Sequence, residues 1–231
     1  ANTNPPVIII EDILISSEDQ EEATQFLIDN GYDLVEKDVH LTSKEKRRIY
    51  RQEKHIGFIN EAKGVEVELH WRFFANEKLF PLDFNACWTK RQKIIVSDTS
   101  APILGDHQLM LHLCVHGAVH RWKRLNWLCD IAGYTRQFSD KAWEDLEAAA
   151  IKMGVQRMVY QGLILIHQLF NQKVPSKFIK MSETDRTIQF LVQYALWTIL
   201  NLKDEERTSA EQDSNESKVR SILNAQYYQL I

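Results

Sequence analysis

Residues 54–74, KHIGFINEAKGVEVELHWRFF, read as two strands, Lys54–Asn60 and Val65–Phe74, joined across the turn Glu61-Ala62-Lys63-Gly64. Apolar side chains recur at every second position in both arms, the period of a strand whose successive side chains point to opposite faces. Toward the N-terminus, Val7–Ile15 is rich in β-branched residues and reads as another strand. Between these strands Ser17 and Gln20 have the spacing of a capping box, and Ala23, Phe26 and Leu27 continue as an amphipathic helix that Gly31 stops. Residues 1–100 are therefore expected to form a small α+β domain. After Pro102 the strand signal fades, and apolar periodicity predicts helices at about 106–121, 125–138, 140–153, 155–170 and 184–201. Residues 101–231 read as a helical bundle. Within it, residues 203–218, KDEERTSAEQDSNESK, have almost no apolar side chains and form a polar loop, after which Val219–Ile231 returns as a short terminal helix.

Composition narrows the class. The 231 residues are 44% hydrophobic and 10% aromatic, enough to bury a substantial core. A formal net charge of −4 gives no general attraction to polyanions, so nucleic acid is not the default partner, although a local basic patch can still bind phosphate. Cys87, Cys114 and Cys129 are odd in number and lack a paired C-x-x-C arrangement, so they read as reduced, mostly buried thiols rather than a disulfide framework or a structural zinc site. No apolar run is long enough to span a bilayer and the start shows no secretory pattern, so no membrane partner is expected and the cytoplasm is the expected compartment.

Two groups of residues carry chemistry. Glu66 and Glu68 lie two apart on a strand and share a face, and Asp12 lies on another strand that a sheet can bring alongside. Clustered carboxylates on a sheet hold Mg²⁺, which neutralises a nucleotide's phosphates and assists in-line displacement, although ordinary solvated acids on an exposed face have the same spacing. The second group is LMLHLCVHGAVHRWKRLNWLCD, residues 109–130. There His112, His116 and His120 fall in one sector of a helix, followed by Arg121, Lys123 and Arg124 and, further on, Asp130. Guanidinium and ammonium groups bind triphosphate or carboxylate, and Asp130 is placed to pair with them or to orient a histidine. The plain alternative is a set of core histidines beside solvated cations. Histidines at i and i+4 also ligate zinc, but the acid of a catalytic zinc helix is missing, so a zinc-dependent hydrolase is a third reading.

Glu68-Leu69-His70-Trp71-Arg72, followed by the 111–122 segment LHLCVHGAVHRW and the 125–130 segment LNWLCD, resembles the uncharacterised bacterial nucleotidyltransferase family of the polymerase-beta-like superfamily. The likeness extends to Glu11-Asp12-Ile13-Leu14-Ile15-Ser16 and Asn30-Gly31-Tyr32, and so covers most of residues 10–135. It implies a nucleotidyltransferase-like mixed sheet with helices, followed by a helical bundle. The implied activity is transfer of a nucleoside monophosphate from a nucleoside triphosphate to an unknown acceptor, with Mg²⁺ as cofactor. By the same resemblance Asp12 matches the second metal-binding acid and Glu68 the third, while the first acid's position is held by Ile10 unless Glu11 replaces it through a shifted strand. The superfamily's phosphate-cradling Gly-Ser pair does not occur here. His70 is expected to orient Glu68 or contact substrate, Arg72 to contact substrate, Arg121, Lys123 and Arg124 to meet phosphate or acceptor, and His116, His120 and Asp130 to shape the substrate wall. The alternative function is a catalytically degenerate binding or assembly module, which the missing first acid favours.

Overall fold

The computed structural model of the chain describes residues 9–35, 50, 52–74, 76–200, 223 and 225–230, with the backbone alone at 9–11. The polar loop at 203–218 lies outside the described residues, whereas 223 and 225–230, within the expected terminal helix, are helical. The chain divides into two compact units, Ala1–Leu104 and Gly105–Ile231.

The first unit holds strands β1 (Ile9–Leu14), β2 (Asp33–Leu34), β3 (His55–Asn60) and β4 (Val65–His70) in one mixed sheet of order β1-β4-β3-β2. β3 and β4 form the expected hairpin, paired from Asn60 with Val65 to His55 with His70, and Gly64 takes a positive φ of 65° in its turn. β1 runs parallel to β4, in register from Ile9 beside Val65 to Leu14 beside His70. Helix α1 (Gln20–Asp29) covers one face of this sheet, where Leu27 packs with Phe58, Val67 and Leu69. The two-residue period of β3 and β4 therefore leaves the opposite face to His55, Gly57, Glu66, Glu68 and His70. Trp71 closes the end of the sheet, its indole N–H donating to the Glu53 carbonyl at 2.9 Å and its ring meeting Tyr50 edge-on.

Three local features differ from the sequence expectation. The capping box of Ser17 and Gln20 does not form: Asp19 holds the N-cap position, and Ser16 Oγ accepts from the Glu18 amide instead. Helix α2 (Phe84–Thr89) is started by Asp83, whose carboxylate accepts from the Ala86 amide at 2.7 Å. The hairpin of β5 (Gln92–Val96) and β6 (Thr99–Ile103) turns at Ser97 and Asp98, both with positive φ. That geometry is usual for a two-residue hairpin, but Ser-Asp is a weaker signal for it than Asn-Gly.

The second unit contains α3 (Asp106–Val119), α4 (Leu125–Thr135), α5 (Asp140–Met153), α6 (Gln156–Phe170), α7 (Ser176–Thr184) and α8 (Arg186–Leu200). All but α7 lie close to the expected segments. Ser139 caps α5 and Gly154, with φ 73°, ends it. α6 is the central helix, with Met158 through Ile166 all buried. Trp122 is fully buried and folds back beneath α3 because Arg121 and Trp122 both adopt left-handed φ, 58° and 56°. Only glycine leaves room for the ring: a Cβ at Gly117 would lie 2.1 Å from it, and one at Gly162 would lie 3.0 Å away. Cys87 and Cys114 are buried and Cys129 is exposed on α4, all three as free thiols, in line with the expectation of mostly buried thiols. Among the described residues no helix is long and apolar enough to cross a membrane.

Candidate metal and nucleotide site

The parallel register of β1 and β4 sets Asp12 beside Glu68, and the antiparallel register of β3 and β4 sets His55 beside His70. These four residues meet on the sheet face opposite α1. His70 Nε2 lies 3.0 Å from Glu68 Oε2 at hydrogen-bonding geometry and 3.6 Å from Asp12 Oδ1, and His55 Nε2 lies 3.6 Å from the same Glu68 oxygen. The two imidazoles stack with centroids 4.7 Å apart and planes 19° from parallel. Burial increases along the cluster: Asp12 is 63% exposed, His55 32%, Glu68 27% and His70 12%. Burial lowers the His55 pKa, Glu68 acts against that shift, and His70 reinforces it, which favours the neutral imidazole. Gly57 stands opposite Glu68 in the register, and the space a side chain there would take is bordered by Val35 and Glu66.

One acid-bearing position follows from the register alone. Ile10, where the resemblance expects the first acid, pairs with Glu66, while Glu11 pairs with Val67. The Glu11 side chain lies outside the described residues. Arg72 forms an ion pair of 2.8 Å with Glu77, so its guanidinium is engaged with a carboxylate of its own unit.

The remaining candidates lie in the helical unit. His116 and His120 have ring centroids 4.6 Å apart, and Trp127 of α4 meets both, at 5.0 Å and 5.4 Å. Arg124 places its guanidinium 5.8 Å from the Trp127 ring centre, a cation–π distance. His112 and His116 are half-buried and His120 is exposed, so the ladder runs along the outer edge of α3 rather than through its core. Arg121 and Lys123 are half-buried at the turn after α3, and Arg124 is exposed. Asp130 is also exposed, although partial loss of its water still raises its carboxyl pKa.

Among the described residues, His55, Glu68 and His70 form a group whose ligand atoms all lie within 4.8 Å of one another. The sequence singled out Glu68 and His70 but not His55. Counting outward from the Glu61–Gly64 turn pairs His55 with His70, so the missing residue had a signal in the hairpin register.

A small mixed sheet with carboxylates and imidazoles on the face opposite α1, followed by helices, has the architecture of a nucleotidyltransferase-like α+β protein. The chain belongs to the family described as uncharacterised nucleotidyltransferase, whose sequence model matches residues 11–171. No curated protein and no solved structure matches it.

Proposed function

We propose that this protein is a metal-dependent nucleotidyltransferase that moves a nucleoside monophosphate from a nucleoside triphosphate to an acceptor nucleophile. The observation that carries this reading is the pairing of Asp12 with Glu68 on the sheet face opposite α1 in a member of a nucleotidyltransferase family. Asp12 and Glu68 hold the Mg²⁺ that accompanies the triphosphate. When bound, the ion neutralises phosphate charge and favours departure of pyrophosphate as the acceptor attacks the α-phosphorus. While no ion occupies its Nε2, His70 donates from that atom to Glu68 and orients its carboxylate. Glu66, in register with Ile10, brings a further carboxylate to the strand position where the first acid is missing. On the helical unit, Arg121, Lys123 and Arg124 are the cations suited to phosphate or an anionic acceptor, and His116, His120 and Asp130 are the further polar candidates there.

Calorimetric titration of the full chain with each nucleoside triphosphate, with and without Mg²⁺, tests this reading. Magnesium-dependent binding is expected in the wild type and should be lost in Asp12→Ala. Unchanged binding in both Asp12→Ala and Glu68→Ala would reject the metal assignment. Replacing Arg121 and Arg124 together should weaken binding and flatten its salt dependence. A second reading, a degenerate scaffold that binds without turnover, is favoured by Ile10 at the first-acid position and by the absence of a Gly-Ser pair. Nucleotide binding with no transfer to any acceptor would support it.

A further inference from the structure

We infer that the face of the sheet carries a resident divalent transition-metal site, built by His55, Glu68 and His70 and selective for a zinc-like ion over Mg²⁺. The inference rests on the reading of this face as a metal site and adds the identity of a second ion, distinct from the Mg²⁺ that arrives with the triphosphate.

The donor set carries the case. Mg²⁺ prefers an octahedron of oxygen ligands and keeps several waters, whereas imidazole nitrogen suits zinc and the other later first-row ions. Two imidazoles and one carboxylate, with a fourth position open to solvent or substrate, form a ligand set used by catalytic zinc sites. The spacing agrees with it. Ligands at about 2.0–2.1 Å from a tetrahedral ion stand roughly 3.3 Å from one another, and here Glu68 Oε2 lies 3.0 Å from His70 Nε2 and 3.6 Å from His55 Nε2. Three ligand atoms within 4.8 Å of one another therefore border one volume, and turning one imidazole out of the stack aims both ring nitrogens at it.

The surroundings support the same assignment. Among the described residues His55 Nδ1 is buried without a hydrogen-bond partner, and it is the ring nitrogen opposite the Nε2 that faces Glu68. The half-buried positions of His55 and Glu68 give an ion access from solvent, while Asp12, 3.6 Å from His70 Nε2, stands at the rim where the Mg²⁺ of a bound triphosphate would lie. Glu68 would then be shared by both ions.

Metal-stripped full-length protein, titrated with Co²⁺ without nucleotide, reports directly on this site through the visible absorption of nitrogen-ligated cobalt. One equivalent should bind with an intense low-coordinate spectrum, Zn²⁺ should displace it, and millimolar Mg²⁺ should not. His55→Ala, Glu68→Gln and His70→Ala should each lower Co²⁺ affinity by at least about 100-fold. Near-UV circular dichroism checks that each variant is folded, and His55→Ala decides the case if His70→Ala does not fold. The control is a double variant, His112→Ala with His116→Ala, which should leave the spectrum unchanged. A spectrum that survives His55→Ala but disappears in that double variant would overturn the inference by moving the metal to the α3 histidine ladder. Displacement of Co²⁺ by equimolar Mg²⁺ would also overturn it. Because nucleotide is absent, either failure is separate from loss of Mg²⁺-dependent triphosphate binding in Asp12→Ala.

Discussion

Glu68 is the residue on which the polar face converges, since His55 and His70 approach the same carboxylate oxygen from adjacent positions across β3 and β4. Its partial exposure makes it a weak contributor to folding, because ion pairs open to solvent contribute about 0–1 kcal/mol. Glu68→Ala is therefore expected to change denaturant stability by less than about 1 kcal/mol while removing metal binding, a separation visible by comparing urea unfolding with metal titration. The acids were legible because an i, i+2 pair on a strand must share a face. His55 was harder to see because its partner is fifteen positions away in sequence and becomes its neighbour only through the hairpin register. The thiols give another test at this scale. Burial first, and then Asp83, push the Cys87 thiol up to about 11, and burial alone raises Cys114, so both remain protonated near neutrality. At about pH 8, a thiol reagent should modify Cys129 promptly and reach Cys87 and Cys114 only after denaturant is added; rapid modification of all three would contradict their buried positions.

The turn after α3 shows how one element can depend on two glycines. Trp122 N–H donates to the Gly117 carbonyl at 2.8 Å, and the indole fills the space left by Gly117 and Gly162. Gly117→Ala is expected to destabilise the helical unit by about 3 kcal/mol, through overpacking against a ring that has no free volume to enter. Trp122→Phe should cost less because it removes a buried indole N–H that has no partner among the described residues and leaves only a small cavity, and thermal unfolding of the two variants measures the difference. The sequence revealed α3 through its apolar period but not the reversal that follows it, since neither Arg121 nor Trp122 is a usual left-handed residue. The β5–β6 hairpin was missed for a related reason. All of β5 is exposed, so no buried alternation marked it, and Ser97-Asp98 is an uncommon turn. Replacing Ser97-Asp98 with Asn-Gly should stabilise this hairpin by about 1 kcal/mol, read as slower amide exchange at Ile94 and Ala101.

At the scale of the molecule, the fold class was legible because the apolar period changes from two residues to nearly four close to residue 100. What no local pattern displayed is how the C-terminal segment returns to the helical unit. Tyr227 is fully buried there, and its hydroxyl lies 2.9 Å from the Ala118 carbonyl and 3.0 Å from Gln161 Oε1, while Gln161 donates to the Leu191 carbonyl. Tyr227→Phe would leave those acceptors buried with fewer donors and is expected to cost about 1–2 kcal/mol of stability, measured by chemical denaturation. The family and the paired acids together make nucleotidyl transfer the central claim, and the α-phosphate is where it can be followed. The full chain would be incubated with Mg²⁺ and nucleoside triphosphates labelled at that phosphate, using fractionated cell extract as the acceptor source. The expected result is label moving to an acceptor with release of unlabelled pyrophosphate, and loss of that transfer in Asp12→Ala. Label remaining on the triphosphate across all fractions, in a wild-type protein shown to bind it, would contradict the account.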